Sequence, residues 1–332
     1  MANATYGDIG TRTAAYAEKK FLTNAERVEV LAKLGLVRAI PKNSTDTIKF
    51  RRSVLFSPAT TPLVEGVTPT PGAIQFVDVT GQVSQYGDLY GITDHVDDMS
   101  EDPVLNEMME LAGEQAGQTL EQIIYGAVKA GTSVYYANGA SRAAVNTAYS
   151  LDDQRKAIRY LKSQNAKKFT SILAPGVNKI GTTPIEAAYV GVCHTDLEAD
   201  IRSLAGFTPV AEYGSMKPMC AEEFGAVEDV RYVCSPQLDP WADAGGTPGS
   251  AVLSTSGSAA DVYPILIFGK EAFGTVALRG AKSMKPTVIN PGRVDKSDPL
   301  GQRGYVGWKT YFLALILNQT WMTRIEVGAS AL

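Results

Sequence analysis

The stretch TPLVEGVTPTPGAIQFVDVTGQVSQYGDLYGITD, residues 61–94, decides the fold. It begins with proline and glycine and continues as strand-forming chain, bounded by turn residues and ending in acids. Its apolar residues fall on both parities of the strand pattern: Val77, Val79 and Val83 on one, and Phe76, Tyr86, Tyr90 and Ile92 on the other. A strand that is apolar on both faces must be covered on both faces. We therefore predict a long β-hairpin that something outside its own domain covers.

Charge is distributed unevenly around this stretch. Residues 1–60 contain 10 Lys and Arg and 5 Asp and Glu, whereas residues 61–130 contain a single Lys and 12 acids. Two interpretations stay open. The blocks are two solvated surfaces of one domain, or the basic arm of one copy lies against the acidic stretch of another, because complementary fields steer association.

Composition limits the class of protein. The chain has 332 residues, of which 45% are hydrophobic and 20% charged, with a formal net charge of -4. This is typical of a globular protein with a sizeable core and without the basic character of nucleic-acid binders. Three cysteines without a CxxC spacing favour a reduced compartment over a disulfide framework. We expect neither a secretory leader nor a membrane span, since the most apolar run, Tyr311 to Leu317, is far too short and reads as a buried strand.

Periodicity predicts one unusually long helix over residues 103–130, with Asp102 and Pro103 at its start and Gly131 after its end. Shorter helices are predicted from the capping boxes at Thr23 and Ser150, from Pro184 onward, and from Thr195 to near Gly206. The sequence further predicts strands at 47–56, 169–175, 263–268, 275–278 and 308–327, strands and turns at 207–235, and a mobile surface loop at 239–261. Helices in the middle and strands at both ends predict an α+β fold whose two ends meet in one sheet.

Catalytic motifs are missing from the sequence. It contains no phosphate-binding GxxxxGK[ST] or GxGxxG, no GxSxG elbow and no HExxH. His95 with Asp94, Asp97 and Asp98 could supply metal ligands, but the same residues suit a solvated helix entry. The adjacent Cys193 and His194 point in different directions on a strand or a helix, so we interpret them as a buried thiol beside a helix entry.

A dispersed basic run in the last third of the chain also has two interpretations. Its members are Arg279, Lys282, Lys285, Arg293, Lys296, Arg303 and Lys309. They lack the interleaved aromatics of a specific nucleic-acid site. They fit either a solvated rim or diffuse contact with phosphates.

The ordered landmarks of the chain resemble the major capsid proteins of tailed bacteriophages, which have the HK97-like fold, and most closely the subset typified by the capsid subunit of coliphage N4. The landmarks are IPKNSTDTIKFRRS (40–53), the stretch 61–94, RKAIRYLKSQNAKKF (155–169), FTPVAEYGS (207–215), EFGAVEDVRYVCS (223–235) and DPLGQRGYVGWK (298–309). The resemblance implies an N-terminal arm at 1–45, an extended β-hairpin loop at 46–95, and a peripheral domain at 96–165 with its spine helix at 103–130. It further implies an axial domain at 166–262 and return strands of the peripheral domain at 263–332.

The resemblance also implies a function. Copies would assemble into hexamers and pentamers of an icosahedral head around double-stranded DNA, formed in the host bacterial cytoplasm and ending in the virion. Partners would be neighbouring capsomers, a portal, decoration or scaffolding proteins, and DNA through non-specific contact, with no membrane, cofactor or catalysis. We expect Arg51, Arg52, Glu65, Asp88 and Asp94 among the contacts between subunits. Two alternatives stay open: the shell subunit of an encapsulin-type compartment, and a soluble metal-dependent hydrolase that uses His95 and nearby carboxylates.

Overall fold

The computed structural model describes residues 29–41, 43–66, 68–99, 104–171, 184–213, 218–249, 251–278, 284–292, 294 and 298–332. The helices are α1 (Leu31–Leu34), α2 (Asp94–Met99), α3 (Val104–Lys129), α4 (Leu151–Ser163) and α5 (Glu198–Arg202). The strands are β1 (Leu36–Ile40), β2 (Thr47–Ser53), β3 (Phe76–Gln82), β4 (Ser84–Thr93), β5 (Val134–Tyr136), β6 (Phe169–Ser171), β7 (Pro184–Cys193), β8 (Thr208–Pro209), β9 (Glu223–Val227), β10 (Val230–Cys234), β11 (Tyr263–Phe268), β12 (Phe273–Leu278), β13 (Lys285–Ile289), β14 (Arg303–Ile316) and β15 (Met322–Val327).

Strand β14 organises the first sheet, which has five strands. Strand β4 pairs with it antiparallel from Arg303 to Phe312, and β13 pairs with it from Tyr305 to Lys309. Because these two pairings overlap and a strand has two edges, β4 and β13 lie on opposite sides of β14. Strand β12 pairs with the end of β14, and β1 lies parallel to β12. The N-terminal and C-terminal parts of the chain therefore meet in one sheet, as predicted.

The second sheet has eight strands in the order β5, β15, β11, β7, β10, β9 and β8, with β6 also paired to β7. Its centre is fully apolar: all six residues of β11 are buried. Strands β11 and β15 come from the last third of the chain, while β7, β9 and β10 come from the middle. The expected boundary between residues 262 and 263 therefore does not coincide with a change of sheet.

The long helix α3 has 26 residues and covers one face of the first sheet. Its length agrees with the sequence prediction. Small and apolar side chains on its first half, Met109, Ala112 and Ala116, pack against Val306 and Trp308 of β14. Alanines at these positions let the helix approach the sheet closely, so that the large indole is 4% exposed.

A buried carboxylate in the second half of α3 binds the backbone at the start of α1. Glu121 is 0% exposed, and its oxygens accept hydrogen bonds from the backbone nitrogens of Val30 and Leu31 at 3.0 to 3.1 Å. Burial raises the pKa of Glu121 to about 7, against the lowering effect of these two donors. The side chain thus caps α1 across a sequence separation of about ninety residues.

The end of α3 is joined to the second sheet by a cluster of cations around Trp241. The Lys129 ammonium lies 4.0 Å and the Arg142 guanidinium 3.6 Å from the centroid of the indole. Arg142 also forms two hydrogen bonds of 2.8 and 2.9 Å with the fully buried carboxylate of Glu326. Arg324 donates to the carbonyl oxygen of Lys129, an acceptor that the helix end leaves unpaired, and to that of Gly131 just after the helix.

The stretch at 61–94 divides between a free hairpin and the body of the molecule. Strands β2 and β3 form a separate two-stranded sheet over Thr47 to Ser53 and Phe76 to Gln82. Strand β4 leaves this hairpin and pairs with β14 over ten residues. Strand β3 still approaches β14 at Gly81, and the part of the stretch before it projects from the body. Our expectation that the whole stretch is covered only from outside its own domain is therefore corrected.

Two predicted helices differ from the structure. Residues from Pro184 form β7, because their apolar run pairs with β10 on one side and β11 on the other, and this pairing overrides the helix-like start. The helix predicted from Thr195 to near Gly206 is a 3-10 turn at Thr195–Leu197 followed by α5, which ends at Arg202. Its cap is His194, whose Nδ1 accepts a hydrogen bond from the backbone of Asp196.

The structure also differs from the sequence predictions for the segment 239–261 and for the closing strand, and it describes only the end of the first predicted helix. The segment 239–261 is tied to the body, since Trp241 pairs with Val262 and the buried Asp261 accepts from the backbone of Asp243, so the mobile loop was a wrong prediction. The predicted closing strand is two strands, β14 and β15, separated by a 3-10 turn at Gln319–Trp321. The helix predicted from Thr23 begins outside the described residues, and its described part is the short helix α1.

Candidate interaction surface

The tip of the hairpin, residues 54–75, presents large apolar side chains to solvent. Leu55, Phe56, Leu63 and Val64 are 83%, 70%, 78% and 68% exposed, and Ile74 is 55% exposed. The tip contains no helix or strand among its described residues. Large apolar side chains that are concentrated in one exposed segment indicate an interaction surface, because leaving them in water costs free energy that a partner can recover.

The stem of the hairpin is held in register by a charge pair. Arg51 and Asp78 are directly opposite across β2 and β3, and the guanidinium donates two hydrogen bonds of 2.8 and 3.2 Å to the carboxylate. Lys49 lies 3.2 Å from the same carboxylate. Hydrogen bonding to Arg51, and then to Lys49, lowers the pKa of Asp78 to about 2. The register places the tip at a fixed distance from the body.

The other residues expected at subunit contacts lie on separate parts of the surface. Arg52 follows Arg51 on β2, and Glu65 is exposed in the tip. Asp88 on β4 accepts hydrogen bonds from Gln115 and Tyr90, which lower its pKa. Asp94 begins α2, where its carboxylate accepts from the backbone of His95. The structure does not bring these five residues together within one chain, and their role between chains stays a prediction.

The alternative that His95 and nearby carboxylates hold a metal finds no support in the described residues. They contain no group of three or more His, Cys, Asp or Glu side chains that could hold a metal ion. Cys193 is fully buried, which raises its thiol pKa well above the usual range. It lies beside the turn entry at His194, as predicted. Of the basic run, Lys285, Arg303 and Lys309 lie on β13 and β14, whereas Arg279, Lys282, Arg293 and Lys296 lie outside the described residues.

Sequence reasoning missed the contacts that connect the elements. Gln115 on α3 reaches both Asp88 on β4 and the indole of Trp308 on β14, and the cap at Glu121 spans most of the N-terminal third of the chain. In general, a Gln or Glu within an amphipathic helix does not reveal which distant element its side chain will contact. The one available sign was that Glu121 falls on the apolar face of the periodic pattern.

A protein-family model described as phage capsid protein matches residues 77–322 of the chain. The chain belongs to the phage capsid protein family. This range contains β4, α3 and most strands of both large sheets, so the match rests on the body of the capsid protein. Membership makes it a structural protein and not an enzyme. In the described part of the chain, no helix is long and apolar enough to cross a membrane.

One relative and several solved structures are similar to the chain. The capsid protein is 24% identical over 182 residues to the major capsid protein of Pseudomonas phage KPP21, a match that covers 51% of this chain and 46% of that one. The chain therefore spans about half the length of the curated relative it matches. Among solved structures it is similar to the capsid of Ralstonia phage GP4, with a TM-score of 0.67, 14% identity, and 92% of each chain covered.

Two further capsids have the same fold. The head structure of Helicobacter pylori bacteriophage KHP40 gives a TM-score of 0.59 at 12% identity, over 91% of each chain. The capsid of cyanophage P-SCSP1u gives 0.58 at 15% identity, over 91% of this chain and 89% of that one. The α+β fold of the capsid protein is thus that of phage capsid subunits and is consistent with the HK97-like fold.

Proposed function

We propose that this chain is the major subunit of an icosahedral phage head, in which copies form hexamers and pentamers around double-stranded DNA. The observation that carries the proposal is the projecting hairpin of β2 and β3, whose apolar tip is exposed in the single chain. Each tip would bury its apolar side chains on a neighbouring copy. Modest pairwise contacts then add up around closed rings.

We further propose the domain arrangement that the sequence resemblance implies. Residues 1–45 would be the arm, 46–95 the extended loop, 96–165 the peripheral domain, 166–262 the axial domain and 263–332 the return strands. The separate hairpin sheet and the 26-residue helix support the loop and the spine. Within the family, the ordered landmarks from 40–53 to 298–309 support the N4-type subset.

The proposed partners follow from the same function. They are neighbouring capsomers, a portal, decoration or scaffolding proteins, and packaged DNA through non-specific contact, with assembly in the host cytoplasm. Lys285 and Lys309, which are exposed and directly opposite across β13 and β14, support contact with a polyanion, because two like charges repel each other until an anion neutralises them.

The proposal is tested by removing the hairpin tip. Residues 57–74 are replaced by two glycines, which leaves the paired strands β2 and β3 intact. We expect a folded subunit by circular dichroism that no longer forms particles in negative-stain micrographs, where the unaltered chain does. Particles of normal size from the shortened chain would contradict the proposal.

A point variant gives a matched control. Leu63→Ser in the tip is compared with Leu300→Ser outside the hairpin, since these leucines are 78% and 76% exposed. We expect weakened assembly for the first alone. The cargo of purified particles separates the two kinds of shell: nuclease-protected double-stranded DNA indicates a phage head, and an enclosed enzyme indicates an encapsulin-type compartment.

A further inference from the structure

A crevice of about 290 Å³ lies between the root of the hairpin and the end of β14. We name it the root crevice and define it by Phe50, Arg51 and Arg52 of β2, Lys167, and Asn318 and Trp321 of the turn after β14. Its floor is apolar and its rim is charged. A ligand that fits it must therefore offer both an apolar group and a group that attracts cations.

The rim of the root crevice has an excess of positive charge. Arg51 is engaged by Asp78, and Lys167 lies 3.4 Å from Glu271, whose carboxylate also lines the crevice. Arg52 forms no ion pair with any residue that the structure describes. Its guanidinium is exposed, so it can bind a carboxylate at the crevice without breaking an existing pair.

Asn318 supplies a second, independent sign of a ligand. Its side chain is 4% exposed, and its amide oxygen accepts hydrogen bonds from the backbone and hydroxyl of Thr320. The amide nitrogen is buried and has no acceptor among the described residues. A buried donor without an acceptor is rare in folded proteins, because it loses its hydrogen bond to water and forms no other hydrogen bond in exchange. An oxygen atom from outside the described chain would satisfy it.

The same molecule presents a matching surface at the other end of β14. Helix α2 has the sequence DHVDDM, residues 94–99, and carries exposed acids and apolar side chains together. Asp98 is exposed, and Val96 and Met99 are 41% and 74% exposed. This is the combination that the root crevice requires: a carboxylate for Arg52 and an apolar side chain for the floor beside Trp321.

A single copy cannot bring these two surfaces together. Thr93, which precedes α2, pairs with Arg303 at the start of β14, whereas Asn318 follows its last residue, Ile316. A strand of 14 residues spans roughly 45 Å at about 3.3 Å per residue. The two surfaces are therefore separated by most of the length of the subunit. Different complementary surfaces at opposite ends produce a head-to-tail contact, which closes into a ring when the rotation between successive copies is a whole fraction of a turn.

We infer that α2 of one copy docks in the root crevice of the next, with Asp98 on Arg52 and Met99 beside Trp321. An oxygen of the docked segment accepts the hydrogen bond from the amide nitrogen of Asn318. The contact rests on the proposed function, because it joins successive subunits of a ring. It is separate from the apolar tip, since it involves the root of the hairpin and the short helix α2.

The inference is tested by exchanging the two charges. We expect Arg52→Glu and Asp98→Arg each to reduce the yield of particles at least tenfold, and the variant with both changes to recover most of it. The controls are Arg38→Glu on β1 and Glu107→Arg on α3, which are exposed and do not line the crevice. Circular dichroism checks that every variant folds. Unchanged yield in the single variants, or no recovery in the double variant, would overturn the inference.

A cross-linking experiment reads out the contact directly. Subunits with Arg52→Cys are mixed with subunits with Asp98→Cys before assembly and then oxidised. We expect a disulfide-linked dimer in the mixture that is absent when either variant is assembled alone, which also controls for the native cysteines. No dimer in well-formed mixed particles would overturn the inference and leave the proposed function standing. If the unaltered chain forms no particles, the proposed function itself fails.

Discussion

The indole nitrogen of Trp308 donates a hydrogen bond of 3.1 Å to the side-chain oxygen of Gln115, and this contact ties the longest strand to the long helix. The amide nitrogen of Gln115 donates to Asp88 on the neighbouring strand β4. Three elements are thus joined by one side chain. Because the hairpin continues into β4, the support of the proposed assembly loop depends on this amide.

Trp308→Phe is expected to lower the free energy of unfolding by about 1 kcal/mol, since it removes one hydrogen bond and keeps most of the apolar contact. Urea unfolding measures the change. Combining it with Gln115→Leu in a double-mutant cycle isolates the contact, because the two changes should be less than additive. Strict additivity would show that the two side chains do not stabilise each other.

Gly87→Ala is expected to destabilise the first sheet by about 1–3 kcal/mol, because an added methyl group meets well-packed backbone. A Cβ at this position would lie 2.4 Å from the carbonyl oxygen of Trp308. Gly91→Ala on the same strand is the control, since its Cβ would lie 3.7 Å from its nearest neighbour. Thermal unfolding should separate the two variants clearly. Equal losses would argue against the close approach of β4 and β14.

Stability is expected to depend on pH through Glu121. Its pKa is about 7 in the folded chain against an ordinary value of 4.5 for a glutamate, so the folded state holds this proton more tightly than the unfolded state. The contribution is fully present below about pH 4.5 and is lost as pH rises through 7. Urea unfolding at pH 5 and pH 8 should show this loss in the unaltered chain and a smaller one in Glu121→Gln. The same slope in both chains would contradict the assignment.

Trp241→Ala is expected to cost about 2–3 kcal/mol of stability, because Lys129 and Arg142 lose the ring against which they lie. Trp241→Phe keeps an aromatic ring and should cost about half as much. Calorimetry of the two variants gives the comparison. A loss below 0.5 kcal/mol for the alanine variant, within the range of about ±0.5 for surface changes, would mean that the cluster does not stabilise the junction.

Assembly is expected to weaken as salt rises if charges of opposite sign pair between copies, as the basic block at 1–60 and the acidic block at 61–130 predict. The Debye length falls from about 10 Å at 0.1 M salt to about 3 Å at 1 M. Light scattering at increasing sodium chloride follows the yield of particles. If the yield of particles does not change with salt concentration, the two charged blocks are solvated surfaces and do not pair between copies.

Local patterns predicted the elements whose own residues determine them. The long helix was predicted within a residue at each end, and Ser150 caps α4 by accepting from the backbone of Asp153, as its capping box indicated. Strand β7 was missed, because Pro184 resembles a helix start and the pairing with β10 and β11 is not visible in local sequence. The strand partners of β4 were missed for the same reason.

The candidate surface was predictable only in outline. Two-sided apolar patterning located the hairpin, but it could not separate β3, which projects, from β4, which joins the body. Asn318 gave no signal at all, since an unpaired amide nitrogen can be recognised only after its surroundings are known. Sequence patterns report the periodicity of one element, whereas a crevice is made of several elements that are distant along the chain.

The ten-residue pairing of β4 with β14 also determines how the subunit responds to force. Tension applied to the hairpin along the axis of β4 is parallel to the interface with β14. Its hydrogen bonds then bear the tension together in shear, instead of opening one after another as in a zipper. A head pressurised by its contents would pull on neighbouring subunits through their hairpins, and this geometry would let each subunit resist bursting without any covalent link.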